Sequence, residues 1–345
     1  MHQISDFRSD TVTRPTPAMY EAMQSAPLGD DVLGDEPTIN ELEIEGAKLL
    51  GKEAALFCPS GVMANQIAIR IHTRPGDEVI CEAACHTYNN ETGAIAGIAG
   101  AQVRPIASTN GMPAIDEIIA SIQDSNVHHP RTSLVTLENT HNGRGGRVLP
   151  QDQVIELSKQ LKALGLPFHL DGARLANASV ASGKSIAELA APFDSVAFCL
   201  SKGLGSPVGS LIAGSKSFIH EARRIRKMLG GGMRQAGILA ACGLVSIRSM
   251  VERLAEDHAL AKQLGEGLKT IDGIEVDLDA IETNILYFKV PGREAEFASI
   301  REKLAERGVL ALYLDAKTWR MVTHYDVDAG DVEKSIDAWR AVMAE

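Results

Sequence analysis

The chain has 345 residues, 45% hydrophobic and 23% charged, with 34 basic against 45 acidic side chains and a net charge of −11. That length suits about two domains with ample buried core, and the acidic balance argues against a nucleic-acid or anionic-membrane coat. Charge-free stretches such as Gln235 to Ile247 hold thirteen residues, short of the roughly 20 that a bilayer span needs. The opening Asp6, Arg8 and Asp10 precede no apolar run, so no signal peptide is expected. Five cysteines, an odd number without close-set pairs, speak against a disulfide framework and for a reducing, cytoplasmic setting. Cys81, Cys85 and His86 lack zinc-finger spacing and a second ligand pair, and no metal site is expected.

In chain order, apolar runs read as strands at Ala54 to Phe57, Glu78 to Cys81, Gln102 to Ile106, Ser133 to Leu137, Pro167 to Leu170, Ser195 to Leu200 and Ser210 to Ala213. Between them lie amphipathic stretches, among them Val62 to His72, Pro113 to Ile122 and Asp152 to Leu164. Strict alternation of strand and helix predicts an α/β fold with a largely parallel sheet covered on both faces. Near residue 250 the pattern changes. A charged helix over Val251 to Thr270 leads to strands near Asn284 to Val290, Leu310 to Leu314 and Arg320 to His324, closed by a helix from Asp331. The expected division is residues 1–250, a large domain built on the main sheet, and 251–345, a smaller α+β domain.

Ligands of an open α/β sheet collect beyond the carboxyl ends of its strands. Ser60-Gly61, His86, Glu138 to Asn142, Asp171 and Lys202 each follow a strand in this way. The sharpest pair is Asp171 and Lys202, 31 residues apart. A desolvated lysine loses its proton readily, and a carboxylate one strand away can keep a heterocyclic nitrogen protonated. Together they suggest pyridoxal phosphate, with lysine as Schiff base and aspartate as partner of the pyridinium nitrogen. Ser60, Gly61 and Val62 at a helix start form a phosphate cradle, for which a plain serine cap is the competing reading. His86, just after a strand, could lie flat on an aromatic ring, with a structural histidine as the competing reading, whereas His128 and His129 precede Pro130 in a loop that reads as exposed. Two rival motifs fail. Gly203 to Gly209 is one residue too long for the dinucleotide fingerprint, and Gly46 to Lys52 is followed by Glu53 where a P-loop needs Ser or Thr.

Seven segments occur in the order and spacing of one family: Asp6 to Thr13, Gly29 to Val32, Glu138 to Gly143, His169 to Arg174, Leu200 to Gly205, Gly230 to Gln235 and Arg320 to His324. In these the chain resembles the low-specificity L-threonine aldolases, of the aspartate-aminotransferase-like (fold type I) pyridoxal phosphate enzymes. The resemblance implies that Lys202 carries the cofactor, Asp171 pairs with its ring nitrogen and Arg174 lies near its phenolic oxygen. It implies that Ser60, Gly61 and Val62 hold the phosphate, with Arg234 and Lys227 reaching it from a neighbouring subunit of a homotetramer whose sites lie at a dimer interface. Ser9 and Arg320 are implied to bind the substrate carboxylate, His86 to stack on the ring and His128 to approach the β-hydroxyl, so that Lys202, His86 and His128 form the catalytic set. The family usually has threonine where Val62 stands and often tyrosine where Leu33 stands. The implied reaction cleaves a small β-hydroxy-α-amino acid to glycine and an aldehyde. The alternatives keep the cofactor and break another bond, in a β-eliminating lyase or an aminotransferase.

Overall fold

The computed structural model describes residues 4–345. Seven strands form its main sheet: β1 (Ala54–Cys58), β2 (Glu78–Glu82), β3 (Gln102–Ile106), β4 (Thr132–Glu138), β5 (Phe168–Gly172), β6 (Ser195–Cys199) and β7 (Ser210–Gly214). Their spatial order is β1-β7-β6-β5-β4-β2-β3. From β3 through β6 all neighbours are parallel, each joined through helices such as Gln151–Ala163, whose buried Val154, Leu157 and Leu161 lie on one face. The expected strict alternation fails once, because β7 runs antiparallel to both β6 and β1. The cause is length: only the ten residues 200–209 separate β6 from β7, fewer than the dozen or more that a parallel crossover takes. Gly209, at φ +109°, closes this loop where a Cβ would stand 2.5 Å from the Phe57 ring, so the turn needs glycine there.

With β7 reversed between them, β1 and β6 point the same way. The carboxyl ends of β1, β2, β4, β5 and β6 therefore lie along one edge of the sheet. Ser60 caps the helix Gly61–His72 by accepting the Met63 amide at 3.2 Å. A Cβ on Gly61 would stand 2.6 Å from Cys199 Sγ, so the helix start rests against the end of β6, three residues before Lys202.

A second sheet follows the helix Leu254–Lys269: β8 (Glu275–Val276), β9 (Ile285–Lys289), β10 (Leu312–Tyr313) and β11 (Thr318–Val322), ordered β10-β11-β9-β8 and antiparallel throughout. The single strand expected over Leu310 to Leu314 is broken at Ala311. Its first part, Val309–Leu310, pairs instead with Ser5–Asp6. Phe7 then donates to Leu310 O at 2.8 Å and accepts the Val322 amide at 2.9 Å. Its ring joins a buried cluster with Phe288, Phe297, Trp319 and Trp339, in which the two indoles meet edge to face at 4.9 Å. A larger apolar cluster fills the space around the main sheet. Among the described residues no helix is long and apolar enough to cross a membrane.

Candidate active site

The strand-end residues surround a cavity of about 480 Å³ lined by Ser9, His86, Asn142, Arg174, Lys202, Tyr287 and Arg320, among others. Five residues expected from sequence, Ser9, His86, Arg174, Lys202 and Arg320, thus meet in one space. Asp171 is buried directly behind it on β5, in register with Glu138 on β4. A wider cleft of about 900 Å³ shares Gly143 and Tyr287 with the cavity but holds none of the strand-end groups, so the chemistry belongs to the smaller space.

Two buried arginines face this cavity in different electrical states. Arg174 donates through Nε and Nη2 to both oxygens of Asp10, at 2.7 and 2.6 Å. Burial opposes the charge on Arg174, yet the Asp10 carboxylate outweighs it and raises the guanidinium above its ordinary pKa. Asp10, despite its own burial, is held well below the usual carboxylate range by Arg174, Lys202 and Arg320. Arg320 has no carboxylate. It donates to Arg8 O and Asn142 Oδ1, both at 3.1 Å, while its buried Nε has no partner among the described residues. Burial, then the neighbouring Arg174, lower its pKa. A buried cation with an unused donor and a lowered pKa is a site prepared for an anion.

Glu138 accepts the His86 amide at 2.6 Å and the Asn142 amide at 2.8 Å. One carboxylate thereby fixes two loops that border the cavity. The His86 ring donates from Nδ1 to the buried Glu91 carboxylate, 2.9 Å away, and this bond raises its pKa against the effect of burial. Behind it, Asn65 Nδ2 lies 3.0 Å from Glu91 Oε1 and 2.9 Å from Asp171 Oδ2. His86, Glu91 and Asp171 together have the donor set of a metal site. The amide nitrogen of Asn65 stands between the two carboxylates, supplying the positive hydrogens that an ion would otherwise provide.

Of the remaining expected residues, Ser60, Gly61 and Val62 begin their helix on the same sheet edge, where the first amides of a helix lack internal acceptors. Lys227 lies in the last turn of the helix Lys216–Met228 and is exposed. Arg234 is exposed and paired with Asp30 at 3.0 Å. His128 is not brought to the cavity within one chain. It is exposed in the loop before Thr132, the first residue of β4, and therefore beyond the opposite edge of the sheet. Sequence reading marked Asn142 only within the strand-end segment Glu138 to Asn142, and did not single out Asn65, Glu91 or Tyr287. These three sit inside a helix, at a bend and within a strand, with nothing local to distinguish them.

The donor set fits pyridoxal phosphate: a cavity lysine, a buried carboxylate held by N–H donors, and the unpartnered Arg320 Nε for a substrate carboxylate. Residues 6–291 match the model of the beta-eliminating lyase family. The chain is 43% identical over 343 residues to low-specificity L-threonine aldolase 1 of Arabidopsis thaliana, covering 98% of this chain and 96% of that protein. It is 43% identical over 341 residues to the low specificity L-threonine aldolase of Escherichia coli K12, covering 98% and 99%. In fold it is similar to a solved threonine aldolase of Leishmania major, with TM-score 0.83 and 20% identity over 98% of this chain and 99% of that one. The chain belongs to the beta-eliminating lyase family and, within it, to the low-specificity L-threonine aldolases. Enzymes of this family depend on pyridoxal phosphate.

Proposed function

We propose that this enzyme cleaves L-threonine and L-allo-threonine between Cα and Cβ, giving glycine and acetaldehyde. Lys202 would hold the cofactor covalently. Asp171 would face the ring nitrogen, Arg174 the phenolic oxygen and His86 the ring. Ser60 and the Gly61 and Val62 amides would receive the phosphate. When bound, the cofactor supplies the electron sink for the pair released from the Cα–Cβ bond. The protein's task is orientation. Arg320, helped by Ser9, would take the substrate carboxylate in a fixed direction and so fix the orientation of the bond that breaks. The observation that carries this reading is Arg320 itself, a buried guanidinium with an unused Nε in the same cavity as Lys202.

A base must remove the β-hydroxyl proton. His86 lies in the cavity. His128 lies on the far edge of its own sheet, so its assistance would require a second subunit. The assembly we infer is a homotetramer with sites at a dimer interface, where exposed Lys227 and Arg234 would approach a neighbouring phosphate. Five free, buried cysteines support a cytoplasmic setting, and we take residues 1–250 and 251–345 as the two domains. Choice at Cβ should be loose, because a pocket separates a methyl's worth of packing by only about 1–3 kcal/mol.

The test is to incubate cofactor-loaded protein with each threonine isomer and quantify glycine and acetaldehyde. Equimolar products, absent with Lys202→Ala, are the expected result. Release of 2-oxobutyrate and ammonia instead would assign a β-eliminating lyase and overturn the aldolase reading.

A further inference from the structure

Behind Asp171 runs a chain of buried polar groups that reaches the other side of the sheet. Asn65 Oδ1 lies 3.2 Å from His169 Nε2, and His169 Nδ1 lies 2.9 Å from Ser195 Oγ and 3.1 Å from Ser195 O. Ser195 Oγ in turn lies 3.0 Å from His72 Nε2. His72 borders a separate cleft of about 430 Å³ with Phe193 and Asp194.

The direction of every bond in this chain follows from its first. Ionised carboxylates only accept, so the Asn65 atom between Asp171 and Glu91 must be the NH₂ group. The Asn65 oxygen then faces His169 Nε2, which must carry a hydrogen. His169 is fully buried and neutral, since burial lowers its pKa to about 3, so its Nδ1 has none. Only the Ser195 hydroxyl can donate to that nitrogen, because the Ser195 carbonyl is itself an acceptor. The hydroxyl oxygen then receives its hydrogen bond from His72 Nε2. Removing the hydroxyl reverses the logic. The lone acceptor left at Nδ1 is the backbone carbonyl, which favours the Nδ1–H form. Nε2 then becomes an acceptor against the Asn65 oxygen, which the two carboxylates keep from turning, so the amide loses its support from His169 and shifts against Asp171 and Glu91.

We propose that Ser195, through the tautomer of His169, holds the Asn65 amide in place against Asp171, and so acts as a positioning residue for the carboxylate that holds the cofactor's ring nitrogen. The proposal rests on the reading of Asp171 given above. Because Asn65 also donates to Glu91, the same orientation fixes the partner of His86. One buried hydroxyl thus supports both the group facing the ring nitrogen and the group facing the ring.

The first measurement is nitrogen NMR of the histidine-labelled holoenzyme, which reports the His169 tautomer directly. The wild type should show Nε2–H and Ser195→Ala should show Nδ1–H. Finding Nδ1–H in the wild type overturns the proposal whether or not the variant folds. The second compares Ser195→Ala with wild type by bound-cofactor absorbance and steady-state kinetics. A displaced absorbance band is expected, with kcat lower by about tenfold and KM for threonine little changed, the pattern of a lost supporting contact. Ser195→Cys, which keeps a weak donor, should recover part of both. Unchanged absorbance and kcat in Ser195→Ala overturn the proposal. Asp171→Ala separates the two readings: if it leaves the cofactor band unaltered, the assignment of Asp171 fails first. If only Asp171→Ala moves the band, Asp171 stands and the role of Ser195 falls.

Discussion

The cavity edge of the main sheet and the aromatic cluster of the smaller sheet are built on opposite principles, yet one strand serves both. At the sheet edge, buried carboxylates, amides and guanidinium groups hold one another through directed bonds. In the smaller sheet, Trp319 and Trp339 bury their rings and leave both indole nitrogens without a hydrogen-bond partner among the described residues, so shape and apolar area do the holding. Strand β11 alternates between the two. Trp319 and Met321 enter the aromatic cluster, while Arg320 between them lines the cavity. A strand's side-chain period of two places the Arg320 guanidinium on a rigid apolar support. Rigid packing positions the charge, and the charge itself can then be left partly unpaired.

The largest effect should come from Lys202→Ala. The variant should fold and yet give no glycine from either isomer, and borohydride should no longer fix the cofactor to the chain. Detectable turnover in that variant would remove Lys202 from its role. Next comes Asp10→Asn, which leaves buried Arg174 without its counter-charge. Breaking a buried pair on one side costs about 3–5 kcal/mol, so urea unfolding should shift by that amount. A shift below about 1 kcal/mol would mean that the pair carries the weight of an exposed one. Arg320→Lys keeps the charge and loses the planar fork. KM for threonine should rise by about 10–100-fold with little loss of folding stability, the scale of one hydrogen bond to a charged group. If stability falls instead and KM stays, Arg320 belongs to the support rather than to the site.

How much of this was legible beforehand follows the range of each interaction. Ser60, His86, Asp171 and Lys202 could be found because each stands at or shortly past the carboxyl end of a strand, and strand ends are readable from local apolar runs. The aromatic cluster was not read, since it gathers Phe7, Trp319 and Trp339 from opposite ends of the chain. Asp10 stood within a recognisable segment, but its bond to Arg174, 164 residues away, had no local trace. Asn65 and Glu91 were silent for the same reason, as polar residues of a helix and a bend that gain meaning only beside Asp171. The antiparallel β7 was within reach of sequence, because a ten-residue, glycine-rich connection leaves no room for a crossover helix.

The smallest effect concerns the seam between the two regions. Helix Leu254–Lys269 contributes Leu254 to the larger cluster and Leu264 and Leu268 to the aromatic one. On it, His258 Nε2 lies 3.2 Å from the Asn177 side-chain amide, which donates and so requires an unprotonated ring nitrogen. Burial lowers the His258 pKa to about 4. Above pH ~6.5 the ring is neutral in both folded and unfolded chains and adds no pH dependence. Between about 6.5 and 4 the unfolded chain takes up a proton that the folded chain refuses, so stability falls with falling pH by up to about 1.4 kcal/mol per unit. Other groups titrate in this range too, among them the neighbouring Asp257, raised to about 6 chiefly by burial. The measurement is therefore a difference: urea midpoints of wild type and His258→Gln at pH 7, 6 and 5. The two curves should converge as pH falls, because the variant lacks the ionisable ring. Parallel curves would show that the folded protein accepts the proton at His258, and that the seam between charged edge and aromatic cluster is open to water.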